Sequence, residues 1–213
     1  MNKERKLHGN KETVVKVCNW LSLPLQALGC CILYLVIEAF SRHSLAAAWS
    51  YMVESPWVFL YNAFLIFTTF MVVYLFRRRV LVRLIMSCFW LLLGIINGVI
   101  LANRVTPFTG PDLRNLSDGA KVVTKYLSKG TMILVAAALV ALLAFFVWVW
   151  IKGPKFQGKI RWYLNVPLIA LVIVLFTGAT NLALAKRVLS SYFVNIAFAY
   201  QDYGYPYCLA VTL

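Results

Sequence analysis

Apolar residues run along this chain in five long blocks, at 14–40, 56–76, 80–102, 131–151 and 162–185. Each block reaches the roughly 20 residues that an α-helix needs to cross the hydrocarbon core of a bilayer. Lys16 and Glu38 lie near the two ends of the first block and Arg83 one turn inside the third, while the last two blocks carry no charge. Strands of a membrane barrel would alternate apolar and polar positions. The run Met132-Ile133-Leu134-Val135-Ala136-Ala137-Ala138-Leu139-Val140 does not alternate. The pattern therefore predicts an all-α integral membrane fold with five transmembrane helices. The first block is also too long for the core of a cleaved signal peptide.

The connections add a second level of pattern. In the outer segment 103–130, Pro111 and Asp112 suit the first turn of a helix. Leu113, Leu116, Ala120, Val123 and Leu127 then recur at three- and four-residue spacing, opposite Arg114, Asn115, Asp118, Lys121 and Lys125. This describes a short amphipathic helix in the outer interface. Such a helix either packs across the span ends or touches lipid phosphates. For headgroup contact the candidates are Arg104, Asp112 and Arg114, with Lys121 beside them, because a guanidinium suits phosphate geometry. The last segment, 186–213, is dense in Tyr and Phe, as the headgroup belt of a membrane protein is. Ser190-Ser191 is the expected start of a short helix there, and Gly204 and Pro206 are expected to break it.

Polar residues inside the blocks ask for partners. Asn62, Asn97, Asn165 and Asn181 suit interhelical hydrogen bonds, and Gly94 and Gly98 form a GxxxG suited to close helix packing. Glu38 and Arg42 are four apart and are expected to pair near the outer end of the first span, where water reaches them.

Composition sharpens this reading. Hydrophobic residues make up 62% of the 213 positions and charged ones 13%, which leaves too little polar surface to coat a water-soluble catalytic domain. The net charge of +14 points to anionic lipid and to membrane orientation, not to nucleic acid. Basic residues are concentrated in short segments of one side: the tail 1–13 with Lys16, Arg77-Arg78-Arg79 with Arg83, and Lys152, Lys155, Lys159 and Arg161. The positive-inside rule puts that side in the cytoplasm, so the N-terminus lies inside and, after five spans, the C-terminus outside. The Arg77-Arg78-Arg79 turn reads as an anchor at the cytoplasmic headgroups.

Candidate chemistry is sparse. There is no GxSxG, HExxH, P-loop or GxGxxG. The five Cys show no CxxC and read as small apolar fillers, and the three Asp and two His form no evident ligand set for a metal. Catalytic, cofactor and metal residues are accordingly none in this chain.

A resemblance extends the reading. Asn103-Arg104-Val105-Thr106-Pro107-Phe108 with Asp112-Leu113, the stretch Phe59-Leu60-Tyr61-Asn62-Ala63, Phe76-Arg77-Arg78-Arg79, and the closing run from Leu189 through Tyr203-Gly204-Tyr205-Pro206-Tyr207-Cys208 together resemble the N-terminal membrane domain of lipoteichoic acid synthase-like proteins. The resemblance implies a five-span domain of a bacterial plasma membrane, ahead of an extracellular sulfatase-like domain of the alkaline phosphatase superfamily. That domain uses a Thr nucleophile and a divalent metal, typically manganese, to move glycerol phosphate from phosphatidylglycerol onto a polymer. On this reading the chain is the membrane anchor and lipid-facing part of a phosphoglycerol transferase or sulfatase-family enzyme of cell-envelope synthesis, cut ahead of the catalytic domain and inactive alone. Its expected partners are membrane lipids, phosphatidylglycerol among them, and an extracellular catalytic domain or cell-envelope enzymes. The alternative is a stand-alone small transporter or a structural interaction protein.

Overall fold

The computed structural model of the chain describes residues 22–115, 129–153, 156 and 162–213, and among them every regular element is helical. The helices are α1 (Ser22–Ser41), α2 (Leu45–Glu54), α3 (Pro56–Phe70, continued by a 3-10 turn Met71–Leu75), α4 (Arg79–Leu101), α5 (Gly110–Arg114), α6 (Lys129–Lys152), α7 (Trp162–Ala185), α8 (Ile196–Tyr203) and α9 (Tyr205–Thr212). Four stretches are long and apolar enough to cross a membrane: α1, α3 with its 3-10 turn, α4 and α7. At 1.5 Å per residue, 20 to 24 residues span about 30 to 36 Å, which matches the hydrocarbon thickness. Helix α6 is 24 residues long, and its stretch Val140–Lys152 is apolar. The tail 1–13 and the first residues of the 14–40 block lie outside the described residues.

Helix α1 lies at the centre and packs on α2, α3 and α4. Gly94 and Gly98 make the α1–α4 seat. A Cβ at Gly94 would stand 3.1 Å from Ile37 side-chain carbons, and one at Gly98 would stand 2.7 Å from the Phe40 carbonyl oxygen. Glycine removes that obstruction and lets the backbones approach, as membrane interfaces require. The core gathers Tyr34, Ile37, Phe59, Ile66, Trp90 and Leu93. Helix α7 lies on α3 and its 3-10 turn, yet Leu171, Val174, Leu175 and Leu182 are more than half exposed. An apolar helix with so little protein contact is compatible with a membrane span.

The helices run alternately between two ends. At one end Ser22, Tyr74, Arg79, Trp150 and Asn165 come together: Ser22 meets Tyr74 at 3.1 Å, Arg78 lies 4.6 Å over the Trp150 ring, and Asn165 donates to the Tyr74 carbonyl at 2.8 Å. At the other end lie Ser41, Pro56, Leu101 and Ala185, together with α8 and α9. Connections that hydropathy leaves blank are ordered here. Ser44 caps α2 by accepting from the Ala47 N–H at 3.3 Å.

Two expectations need correction. The helix of the closing segment starts at Ile196, not at Ser190-Ser191. The Ser190 hydroxyl is held by the Tyr192 backbone at 2.7 Å, while Asn195 caps α8 by accepting from the Ala197 N–H at 2.9 Å. Gly204 does end α8, but Pro206 stands in the first turn of α9, where its missing N–H costs nothing. Of the amphipathic helix expected from Leu113 to Leu127, only α5 is described, and residues 116–128 lie outside the described residues.

Candidate functional site

The closing segment is docked on the bundle by two polar side chains that the apolar blocks carry. Glu38, on the last turn of α1, is fully buried. Its Oε1 accepts from the Tyr205 N–H at 3.1 Å, and its Oε2 from Arg42 Nε at 3.1 Å. Arg42 in turn donates through Nη2 to the Gln201 carbonyl at 2.8 Å and lies 4.0 Å over the Tyr51 ring. Asn62, also fully buried, grips the same place from α3. Its Nδ2 donates to the Val58 and Tyr203 carbonyls at 2.9 and 2.8 Å, and its Oδ1 accepts from the Tyr207 N–H at 2.9 Å. Three backbone groups of Tyr203, Tyr205 and Tyr207 are thus satisfied by side chains from two spans.

Gly204 lies between these contacts with φ +81 and ψ 152, a region essentially reserved for glycine. A Cβ there would run into the Tyr34 hydroxyl and the Asn62 amide. The aromatic side chains of the segment close the joint: Tyr207 meets Tyr61 edge-on at 5.5 Å and donates its hydroxyl to the Ser190 carbonyl at 2.9 Å. Burial pushes the Cys208 thiol up to about 12, with the Glu38 and Asp202 charges adding to it.

A third buried amide fixes the next segment. Asn97 of α4 donates to Ser41 Oγ at 2.9 Å and accepts from the Phe108 N–H at 2.8 Å. The three candidate headgroup residues are placed around the loop that follows. Arg104 and Asp112 come together as an ion pair, with Arg104 Nη1 to Asp112 Oδ1 at 3.0 Å. Arg104 also donates to the Thr106 and Pro107 carbonyls. Burial alone would raise the Asp112 carboxyl, but hydrogen bonds from Arg104 and from the Thr109 amide and hydroxyl outweigh it and hold it below the usual carboxylate range. Arg114 stands apart from that pair, exposed, and donates to the Leu213 carbonyl at 2.8 Å. The Gly110 N–H donates to Thr212 Oγ1 at 3.0 Å, so the loop and α9 meet edge to edge.

On the flank between α3 and α7 lies an apolar groove of about 680 Å³, walled by Trp57, Leu60, Phe64, Leu182 and Ala183, with Lys186 in its lining. Its dimensions fit an acyl chain. Arg78 and Arg79 at the opposite end of the bundle lie over the Trp150 and Phe156 rings at 4.6 and 3.8 Å. Among the described residues no three His, Cys, Asp or Glu side chains lie close enough to hold a metal ion. Cys30, Cys31, Cys88 and Cys208 are all unpaired.

The pairing of Glu38 with Arg42 was expected from spacing, but its burial was not. Tyr203 to Tyr207 cover the carboxylate, so water does not reach it. Asn62 and Asn97 were expected to bond between spans. Asn97 does reach Ser41 of α1, but both amides spend an acceptor on backbone outside the spans. The available signal was the presence of a carboxylate and amides in apolar stretches, which lipid cannot satisfy. Comparison with family models, with curated proteins and with solved structures finds no match to this chain.

Proposed function

We propose that the chain is a five-span module of a bacterial plasma membrane, with α6 as the fourth span, its N-terminus in the cytoplasm and its C-terminus outside. It serves as the anchor and lipid-facing part of a lipoteichoic acid synthase-like phosphoglycerol transferase or sulfatase-family enzyme. One observation carries this reading: the closing run Leu189 to Cys208, the most specific part of the resemblance, contains the stretch Tyr203 to Tyr207 that Glu38 and Asn62 grip. An enzyme that attacks a lipid headgroup must hold its reaction centre at a fixed height above the bilayer, and fixed geometry is worth several kcal/mol of barrier. A segment bolted to two spans supplies that fixed height, where a flexible tether would not. The concentration of Arg and Lys at the opposite end supports the threading.

In this reading phosphatidylglycerol is the lipid partner. The α3–α7 groove holds its chains and Lys186 faces its phosphate, while Arg104, Asp112 and Arg114 line the outer headgroup level. The manganese of that family would need carboxylate and histidine ligands, and the described residues offer it no such set. In this reading the reaction centre belongs to the partner domain, and the chain alone is expected to release no diacylglycerol from phosphatidylglycerol, with or without manganese.

The test is complementation. A sulfatase-like transferase domain joined behind Leu213 should restore phosphoglycerol polymer to a strain lacking its own enzyme. Maleimide labelling in intact cells should reach a cysteine placed in the closing segment, and not one placed in the tail. A correctly threaded fusion that makes no polymer overturns the enzymatic reading, and both ends on one side overturn the five-span threading.

A further inference from the structure

At the arginine end, α1 and α4 enclose a cavity of about 330 Å³ that the proposed function does not use. Ser22, Gln26, Arg83 and Ser87 form its polar side, with Gly29 and Leu33 on the apolar side. Arg83 lies four residues into α4, about 6 Å along its axis. There it is a cation inside a span, a placement that costs free energy unless an anion or water accompanies it. Its described partners are all neutral: Nε donates to Gln26 Oε1 at 3.1 Å and Nη2 to Ser22 Oγ at 2.8 Å, with the Tyr74 ring 6.0 Å away. The ion pairs among the described residues are Glu38–Arg42 and Arg104–Asp112, so no described carboxylate balances Arg83. Nη1 makes no hydrogen bond to a described residue.

The neighbouring surface is built for a chain of carbon atoms. Leu25, Leu28 and Ile32 of α1 are each more than half exposed, and a Cβ added at Gly29 would meet nothing within 4 Å. A glycine with no close neighbour is not there to let helices approach, as Gly94 and Gly98 are. It widens the cavity instead.

We infer that this cavity holds the phosphate of an anionic phospholipid of the inner leaflet, bound by Arg83 with the Ser22 and Ser87 hydroxyls, one acyl chain lying over Gly29 and Leu33. An unbalanced guanidinium beside hydroxyl donors selects a phosphodiester of net negative charge over a zwitterionic headgroup, whose own cation cancels the attraction. The inference rests on the membrane reading alone and not on the transferase resemblance, since the site lies at the opposite end from the docked closing segment.

The test is native mass spectrometry of the full chain in detergent, titrated with dioleoylphosphatidylglycerol or dioleoylphosphatidylcholine. The first lipid should bind about tenfold more tightly when anionic, the range expected for one charge-assisted contact. Arg83→Gln should abolish that preference and Arg83→Lys should keep part of it. Gly29→Leu leaves Arg83 in place and fills the cavity, so it should also abolish the preference while the helical circular dichroism stays unchanged. The titrations are made in a chain that also carries Lys186→Gln, so that the α3–α7 groove does not contribute to the preference. Undiminished preference in folded Gly29→Leu or Arg83→Gln overturns the inference. So does displacement of the lipid by millimolar inorganic phosphate, which would make the site one for a soluble anion. Lipid occupancy here is read separately from polymer synthesis by the fusion, so either result can fail without the other.

Discussion

Replacing Gly204 with Ala tests whether the closing segment is a separable cap. The backbone at φ +81 and ψ 152 is a region where a side-chain-bearing residue costs about 1 to 3 kcal/mol. The new methyl also collides with the Tyr34 hydroxyl and the Asn62 amide, and overpacking of this kind costs about 1 to 3 kcal/mol more. The smaller entropy of an unfolded Ala offsets about 0.4 to 1 kcal/mol of that. A net penalty of roughly 1 to 6 kcal/mol follows. Against it stand the contacts that dock the segment. The Glu38 bond to the Tyr205 amide is charge-assisted, at about 1.5 to 3 kcal/mol, and the two from Asn62 to Tyr203 and Tyr207 are neutral, at about 0.5 to 1.5 kcal/mol each. The penalty is comparable with these three hydrogen bonds, so the cap should open more often while the bundle stays folded. Hydrogen exchange of the chain in lipid nanodiscs reads this directly. Amides of 196–212 should exchange at least about fivefold faster, the equivalent of about 1 kcal/mol, with α3 and α4 unchanged. Unaltered exchange in 196–212 would refute the clash, and faster exchange throughout α3 and α4 would refute the separability of the cap.

Three further outcomes are expected. Asn97→Leu leaves the Phe108 amide buried without its acceptor and should lower stability by about 1 to 3 kcal/mol, with faster exchange confined at first to residues 103–115; unchanged exchange there would count against the clamp. Asp112 has a depressed carboxyl, so its stabilising contribution is present above its ordinary value of 3.8 and is lost as pH falls through the lower folded value. The group is partly exposed, so the effect is small and screened by salt, and Asp112→Asn should remove the acid-dependent loosening of 103–115 below about pH 4. Cys208, buried with its thiol raised to about 12, should resist alkylation by N-ethylmaleimide at pH 8 in the folded chain and react within minutes once Gly204→Ala has opened the cap; equal rates would place that cysteine in solvent.

The spans were legible because the bilayer imposes a length. Blocks read at 56–76, 80–102 and 162–185 meet helices at 56–75, 79–101 and 162–185 almost residue for residue. The GxxxG of α4 was equally plain, since only close approach rewards two glycines four apart. Helix α2 was missed because ten residues between spans give hydropathy too short a window, although the Ser44 cap was present in the sequence. The clamp was missed for a different reason. Glu38 and Tyr205 are 167 residues apart, and Asn62 and Tyr207 are 145 apart. No periodicity links positions that distant, and the only trace of the contact is that each polar residue has hydrogen-bonding capacity left over beyond its local partner, Arg42 for Glu38 and the Val58 carbonyl for Asn62. Arg104 and Asp112 illustrate the converse: they were singled out for charge, but their eight-residue spacing in a turn-rich loop also suits them to each other.

The 167-residue separation has a consequence for biogenesis. Glu38 enters the membrane with the first span, and its second hydrogen-bond donor, the amide of Tyr205, is made only much later. At about 5 to 20 residues per second, synthesis takes roughly 10 to 30 s to reach it. Throughout that interval the carboxylate has Arg42 alone, and the nascent chain carries an incompletely satisfied acid at the rim of the lipid. A product whose synthesis stops after α7 therefore lacks that donor and leaves the Glu38 carboxylate with Arg42 alone.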